Sequence, residues 1–299
     1  MLRETAVWLS SIADPLKSKL VAVGLIEKQE STIIRLGDFL EKLIESRTDL
    51  KQRTVIKYRD TSNKLISYFG SEKPIEEINP IDGDEFRRWL QTNLGDNTVC
   101  RCCGRAREFS RYAVRKRLLS TNPFAEMKRL NVQPNRSRDY FLSIEDAAKI
   151  LDACPNAQWR LIFVLSRFGG LRCPSEHLEL TWDDVDWEKN RLRVRSPKTE
   201  HFEGKGERII PMFPEIRTEL EMVFEQAEPG AVYVITDYRS TNQNLRTQFT
   251  RIIRRAGLVP WEKLFQNLRA SCATELVKEH PQHVASAWFL VRSEYFRHL

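Results

Sequence analysis

The sequence predicts a mainly helical protein with a small antiparallel β-sheet (α+β), divided into two domains. Three observations support this prediction. The chain has 299 residues, a length that suits two domains better than one. Apolar residues from about 31 to 130 follow helical spacing, with no convincing strand. In the second half, the β-forming segments "RLRVR" and "ERIIPM" flank the polar stretch "SPKTEHFEGKG", a pattern that predicts a hairpin.

The composition indicates which kinds of molecule the protein binds. The formal net charge is +7 and the pI is near 9.1, which favours polyanionic partners, nucleic acid before anionic membrane. No stretch approaches the roughly 18–20 apolar residues of a membrane span, and charges interrupt any secretory signal at the N-terminus. We therefore expect a cytoplasmic protein without membrane contact, whose six cysteines are reduced thiols.

The first half of the chain is predicted to be helical throughout. Residues 1–30 form an N-terminal helical segment, and residues 31–130 a helical domain of four or five helices. Gly70 closes the second of them. The predicted helices include "LGDFLEKLIES", "RTVIKYRDTSNKLISYF", "IDGDEFRRWLQTNL" and residues 98–118.

Residues 131–142, "NVQPNRSRDYFL", are polar, contain Pro134, and are interpreted as a linker. The second domain covers 143–299. Ser143 resembles the start of a capping box that opens the helix "IEDAAKILDAC". The apolar helix "AQWRLIFVLSRF" follows and is expected to end at Gly169 and Gly170.

The helix around "TVCRCCGRAREFSRYAVRKRL" sorts its residues by face. Small and apolar residues, including Cys102 and Cys103, fall on one arc, which favours burial of the cysteines as small hydrophobes. A zinc site using Cys100, Cys102 and Cys103 is the alternative, but C-x-C-C lacks a second pair at zinc spacing. No metal site is predicted.

The opposite arc of the same helix is cationic, with Glu108 as its one acid. A solvated face is the ordinary interpretation of such a row, but solvated faces mix charge signs at i,i+4, and this one repels itself. We therefore predict contact with the DNA backbone, which would position the protein without reading sequence. The predicted DNA-binding residues are Arg101, Arg105, Arg107, Arg111, Arg115 and Lys116.

Three cationic residues of the second domain occupy distinctive settings. Arg172 follows the Gly-Gly turn, Lys198 lies in the predicted hairpin turn, and Arg269 lies near the start of an apolar helix. Two guanidinium groups can hold the non-bridging oxygens of a phosphodiester and stabilise the charge of its transition state. A lysine on a turn can protonate the departing oxygen.

Each residue also has a structural interpretation. Arg172 could form an ion pair with Glu176, Lys198 could be ordinary turn surface, and Arg269 could pair with acidic residues of the sheet. The individual residues do not decide between these alternatives.

The order of the motifs resembles a known family. "GGLRCPSEHLELTWDDVDW", "SPKTE" with "ERIIPMFPEI", and "NLRASCATEL" are similar to the successive catalytic blocks of the tyrosine recombinases, the phage-integrase family. The resemblance covers nearly the whole chain. By this resemblance, 31–130 is a core-binding domain and 143–299 a catalytic domain that is incomplete at its C-terminus.

The resemblance implies a site-specific recombinase that acts on double-stranded DNA in DNA integration and recombination, without a cofactor. A tyrosine attacks the scissile phosphate, forming a 3′-phosphotyrosyl bond and freeing a 5′-hydroxyl. Arg172 and Arg269 would hold the phosphate, and Lys198 would be the general acid. Self-association on DNA is also implied.

Two departures from the family pattern bear on activity. Gln266 stands where the family has histidine, and glutamine can donate a hydrogen bond but cannot shuttle a proton. The family's tyrosine would fall just past Leu299, and Tyr295 is too near Arg269 in sequence to replace it. We interpret the residues after Trp288 as a degenerate or frame-shifted ending. The alternative function is therefore a DNA-binding remnant without chemistry.

Overall fold

The structure, a computed structural model, describes residues 33–128, 131–132, 135–197, 200, 203–204, 206–239 and 244–289, with a few positions before residue 33. The chain divides into two compact units, Met1–Pro134 and Asn135–Leu299. Most of the predicted N-terminal helical segment, 1–30, lies outside the described residues.

The described part of the first unit is helical, as predicted. Its helices are α1 (Leu36–Ser46), α2 (Gln52–Phe69), α3 (Pro80–Gln91) and α4 (Asp96–Arg115). Asn79 caps α3 by accepting from the backbone N–H groups of Ile81 and Asp82, and the Asp82 carboxylate accepts from the N–H of Asn79. This reciprocal capping box fixes where α3 begins.

The apolar faces of these four helices meet in one core. Leu40, Phe86, Ala106 and Phe109 are almost fully buried in it. Cys102 and Cys103 lie in the same core, which confirms that they face inward. Burial raises the pKa of the Cys103 thiol to about 12, as expected for a thiol that packs as a small hydrophobe.

The second unit contains helices around a three-stranded antiparallel sheet. The sheet order is β1-β2-β3, and Leu192 pairs with Ile210 while Val194 pairs with Arg208. The predicted hairpin between β2 and β3 is confirmed. The elements are α5 (Ile144–Asp152), α6 (Ala157–Arg167), β1 (Val185–Asp186), β2 (Arg191–Arg195), β3 (Glu207–Pro211), α7 (Pro214–Glu225), α8 (Leu245–Arg255), α9 (Leu264–Glu279) and α10 (Gln282–Phe289).

Helix α6 forms the centre of this unit. Its residues from Leu161 to Arg167 are all fully buried, and α7 and α9 pack against it. Arg167 is fully buried, and the cost of burying its charge is offset because its guanidinium donates to both carboxylate oxygens of Glu275, at 2.6 and 2.7 Å, and to the carbonyl of Leu142. A central helix held this rigidly fixes the position of the turn that follows it.

The end of the predicted linker packs against the second unit. Leu142 is fully buried, and its N–H donates to Ser271 Oγ of α9 at 2.9 Å. The Asn267 side chain, one turn earlier on α9, donates to the carbonyl of Arg138 at 2.9 Å. Residues 138–142 are therefore anchored within the second unit, through bonds to partners more than 100 residues away in the sequence. Among the described residues, no helix is both long and apolar enough to cross a membrane.

Candidate phosphate-binding site and basic surfaces

The turn after α6 requires glycine. Gly170 has φ +60°, a left-handed conformation, and the N–H of Leu171 turns back to donate to the carbonyl of Leu165 at 2.9 Å. A Cβ on Gly170 would lie 2.5 Å from the ring of Phe289. The two predicted glycines thus end α6 sharply, and they bring Arg172 to the surface of the core.

Glu176 is the centre of the site. Its carboxylate accepts from the Arg172 backbone N–H at 2.8 Å and also from the Arg172 guanidinium. It accepts from Ser196 Oγ at 2.9 Å and from Arg208 Nη2 at 2.6 Å. Four donors from three separate segments therefore converge on one carboxylate.

The charge state of Glu176 follows from these partners. Burial by itself would raise the pKa of this carboxyl, but the hydrogen bond and charge of Arg208, with the charge of Arg172, outweigh it and lower the pKa to about 2. Glu176 is therefore an anion at neutral pH, held inside a cationic cluster.

Arg269 joins the same cluster from α9. Its Nη1 lies 4.0 Å from Glu176 Oε2 and donates to the carbonyl of Gly170, while Nη2 donates to the carbonyl of Phe289 at 2.7 Å. The structure thus brings together Arg172 and Arg269, which lie 97 positions apart in the sequence. We call the two arginines around Glu176 the arginine clamp.

The structural alternative for Arg172 is also present, because its ion pair with Glu176 is formed. The two interpretations are compatible. Within the part of the chain that the structure describes, the Arg172 guanidinium bonds to Glu176 through Nη1. The side chain of Arg172 is 22% exposed. The remaining donors can therefore meet an incoming anion while Glu176 fixes the plane of the guanidinium.

His177 fixes the base of the turn to α6. It is fully buried, and its Nε2 lies 3.0 Å from Ser166 Oγ and 3.2 Å from the carbonyl oxygen of Ile162. Burial lowers the pKa of His177 to about 4. The imidazole is therefore neutral near pH 7 and acts as a packing group.

Sequence reasoning missed Arg208. In β3, residues alternate between the core and the solvent, and Arg208 occupies an inward position opposite Val194 with only 4% exposure. An arginine at an inward-facing strand position is itself a signal, since charged residues are rarely fully buried without a partner. That partner, Glu176, lies 32 residues away, which the sequence alone does not show.

The cationic arc of α4 divides into two groups in the structure. Arg101, Arg111, Arg115 and Lys116 are exposed, and we call these four residues the α4 basic face. Arg105 and Arg107 are half-buried. Arg105 donates to Thr61 Oγ1 at 3.0 Å, and Arg107 donates to the backbone carbonyls of Phe124 (3.1 Å) and Met127.

The acid of this arc is engaged elsewhere. Glu108 accepts from the Tyr58 hydroxyl at 2.5 Å and lies 3.6 Å from the Arg47 guanidinium. Burial and the bond to Glu108 raise the pKa of Tyr58 to about 12. Glu108 therefore has partners on α2 and before it, and it contributes little neutralisation to the exposed cations of α4.

A second basic surface was also missed. Helix α8, "LRTQFTRIIRR", has no acidic residue, and its buried side consists of Leu245, Phe249, Ile252 and Ile253. Arg246, Arg251, Arg254 and Arg255 are exposed. The signal was available in the sequence, because the arginines fall between the apolar positions at helical spacing.

Comparison with known proteins decides the family. The model of the phage integrase family matches residues 140–287, and the model of the phage integrase SAM-like domain matches residues 35–130. The chain belongs to the phage integrase family of tyrosine recombinases. A XerC-like tyrosine recombinase of Caldanaerobacter subterraneus subsp. tengcongensis is 26% identical over an alignment 291 residues long, which covers 81% of this chain and 72% of the relative.

Solved integrases share the fold. A lambda integrase dimer bound to a COC′ core site matches 96% of this chain and 81% of its own, with a TM-score of 0.72 and 18% identity. The Tn1549 transposon integrase in complex with transposon right-end DNA matches 86% of this chain and 91% of its own, with a TM-score of 0.70 and 16% identity. At these identities the likeness concerns the fold, a helical domain followed by a catalytic domain.

Of the three remaining predicted site residues in this integrase-family chain, the structure describes one. Gln266, at the family's histidine position, is exposed one turn before Arg269 on α9. Lys198 and Tyr295 lie outside the described residues. Ser196, two positions before Lys198 in sequence, is part of the cluster around Glu176.

Proposed function

We propose that this chain binds duplex DNA and holds one backbone phosphate in the arginine clamp for strand cleavage and rejoining, as a site-specific recombinase. The observation that supports this most strongly is the convergence of Arg172 and Arg269 beside a buried Glu176. Two guanidinium groups that converge on one carboxylate can together complement the three oxygens that carry charge in a pentacoordinate phosphoryl transition state.

The proposed chemistry needs a nucleophile and an acid besides the clamp. A tyrosine hydroxyl loses its proton to solvent as its oxygen attacks phosphorus and forms the phosphotyrosyl bond, while the bond from phosphorus to the 5′ oxygen breaks. Lys198 donates its proton to that oxygen, which leaves as a hydroxyl. The clamp residues stay bonded throughout and stabilise the charge on the non-bridging oxygens.

We propose that the α4 basic face supplies sequence-independent affinity. Its four exposed cations have, among the described residues, no carboxylate within ion-pairing distance, so phosphate groups can take that place without breaking a protein bond. Arg246, Arg251 and Arg254 of α8 are exposed in the same way. Arg105 and Arg107 already have internal partners, so we expect smaller contributions from them.

Self-association on DNA is part of the proposal. The lambda integrase structures are described as a dimer on a core site and a tetramer on a Holliday junction. A shared fold with these proteins makes assembly on DNA the natural expectation for this chain.

Covalent trapping tests the proposed chemistry. The protein is incubated with nicked duplexes that lose a short strand on cleavage, and a protein–DNA adduct is sought on a denaturing gel. An adduct that disappears in Arg172→Ala supports the recombinase. DNA binding without an adduct would instead identify the alternative function, a DNA-binding protein without chemistry. Absence of both binding and adduct would refute the proposal.

A further inference from the structure

We infer that Arg208 and Ser196 are positioning residues: they hold Glu176 so that Arg172 presents its free donors to phosphate. This inference rests on the proposed function and extends the site to two residues that do not touch DNA. It gives a role to Arg208, a buried arginine that is not one of the two clamp residues.

The three side chains form a closed ring of hydrogen bonds. Arg208 Nη2 donates to Glu176 Oε2 at 2.6 Å, and Arg208 Nη1 donates to Ser196 Oγ at 2.8 Å. Ser196 Oγ donates to Glu176 Oε1 at 2.9 Å, which closes the ring. Each carboxylate oxygen therefore has one donor from the hairpin and one from Arg172.

Burial separates the roles of the three arginines. The side chain of Arg208 is 1% exposed, whereas those of Arg172 and Arg269 are 22% and 11% exposed. Arg208 therefore cannot reach an incoming phosphate. Its guanidinium contacts the carboxylate from inside the fold, while Arg172 contacts it from the side that faces solvent.

Charge explains why the inner arginine matters. With Arg172 alone, the buried carboxylate would neutralise the group that must bind an anion, because opposite charges in a low-dielectric site attract strongly. Arg208 supplies a further cation to Glu176, so the carboxylate is neutralised from inside the fold and the charges of Arg172 and Arg269 remain for an incoming anion. Ser196 fixes the carboxylate plane, and with it the plane of the Arg172 guanidinium.

Phenylglyoxal footprinting of arginines tests the inference. The full chain is modified with and without a saturating 40-base-pair duplex, and mass spectrometry gives the modification rate at each arginine. In the wild type, DNA should slow modification of Arg172 and Arg269 by about tenfold, the scale of a charge-assisted hydrogen bond. In Arg208→Gln and in Ser196→Ala, the protection of Arg172 should fall to about twofold, while overall affinity changes by less than about threefold because other cations supply it.

Two further variants make the test specific. Arg208→Lys retains a charge facing Glu176 and should recover at least about half of the protection, a rescue that a purely packing role would not give. Arg160→Lys is the matched control, since Arg160 makes a similar bidentate pair with buried Glu219, at 2.7 and 2.8 Å, elsewhere in the same unit. Its footprint should equal the wild type.

The outcomes separate the two proposals. If Arg208→Gln does not fold, Ser196→Ala decides the question, because it removes one hydroxyl and no charge. Folded variants that protect Arg172 as well as the wild type would overturn the inference and leave the proposed function intact. A wild type that binds the duplex without protecting Arg172 or Arg269 would instead refute the phosphate clamp.

Discussion

The arginines of the α4 basic face and those of the arginine clamp lie in opposite environments. The cations of the α4 face are exposed and come from one helix. The clamp arginines come from a turn and a distant helix, and they share a buried carboxylate with Arg208. Exposed cations give affinity that salt can screen, whereas buried and hydrogen-bonded ones give geometry. Counting arginines in the sequence does not distinguish the two.

The sharpest test of this comparison is Arg172→Ala. We expect strand cleavage to fall by about 10²–10³, the cost of one donor to a developing oxyanion, with little change in DNA affinity. Covalent adduct formation measures the first quantity and a binding titration the second. Arg111→Ala is the matched control on α4 and should leave the adduct rate per bound complex unchanged.

The salt dependence of DNA binding tests the α4 basic face. Replacing Arg101, Arg111 and Arg115 by glutamine should reduce the slope of log K against log salt by about 2.7, at about 0.9 per phosphate contact. Over a fourfold salt range this is about a 40-fold difference in the loss of affinity. Fluorescence anisotropy at several salt concentrations measures the slope. An unchanged slope would show that the face is ordinary solvated surface.

The buried residues near the arginine clamp predict that the free energy of unfolding depends on pH. Burial holds the pKa of His177 near 4, below its unfolded value near 6.5, so the unfolded state binds the extra proton first. The free energy of unfolding should therefore be highest above pH 6.5 and should fall by about 2 kcal/mol as the pH drops from 6.5 to 5. Urea titrations at each pH measure it.

A second carboxyl sets the lower end of this pH profile. Glu176 has a pKa of about 2, so its stabilising contribution is present above the unfolded value and is lost only as the pH falls below about 4.5 toward 2. His177→Gln should abolish the loss between pH 6.5 and 5 and keep the one below pH 4.5. A wild type with flat stability down to pH 5 would contradict the buried neutral imidazole.

The smallest expected effect concerns two arginines of the same helix. Arg107→Ala should lower the free energy of unfolding by about 1–2 kcal/mol, because the carbonyls of Phe124 and Met127 lose their donor. Arg111→Ala should change it by less than about 0.5 kcal/mol, as for an exposed surface residue. Thermal or urea unfolding compares them, and equal effects would remove the distinction drawn within α4.

Local patterns accounted for much of the fold. Helical spacing predicted α1 to α4, two β-forming segments on either side of a polar stretch predicted β2 and β3, and Gly169 with Gly170 marked the end of α6. Each of these signals lies within about 20 residues, where side-chain periodicity and turn chemistry act directly. The inward-facing cysteines of α4 followed from the same reasoning.

The parts that escaped prediction depend on long-range contacts. Glu176 accepts from Arg208 of β3 and Ser196 next to β2, and no periodicity connects those positions. Residues 131–142 were interpreted as a linker from their polar composition, which does not show that Arg138 and Leu142 bond to Asn267 and Ser271 on α9. The resemblance to a family predicted that Arg172 and Arg269 act together. It assigned no role to Arg208, which was therefore overlooked.

The absent side chain at Gly170 also has a consequence for Arg269. The ring of Phe289 rests against this glycine, and the carbonyl of Phe289 accepts from Arg269, so the end of α10 lies directly beside the clamp. A bulkier residue at position 170 would therefore displace Phe289, and the Arg269 guanidinium would lose the acceptor that orients it.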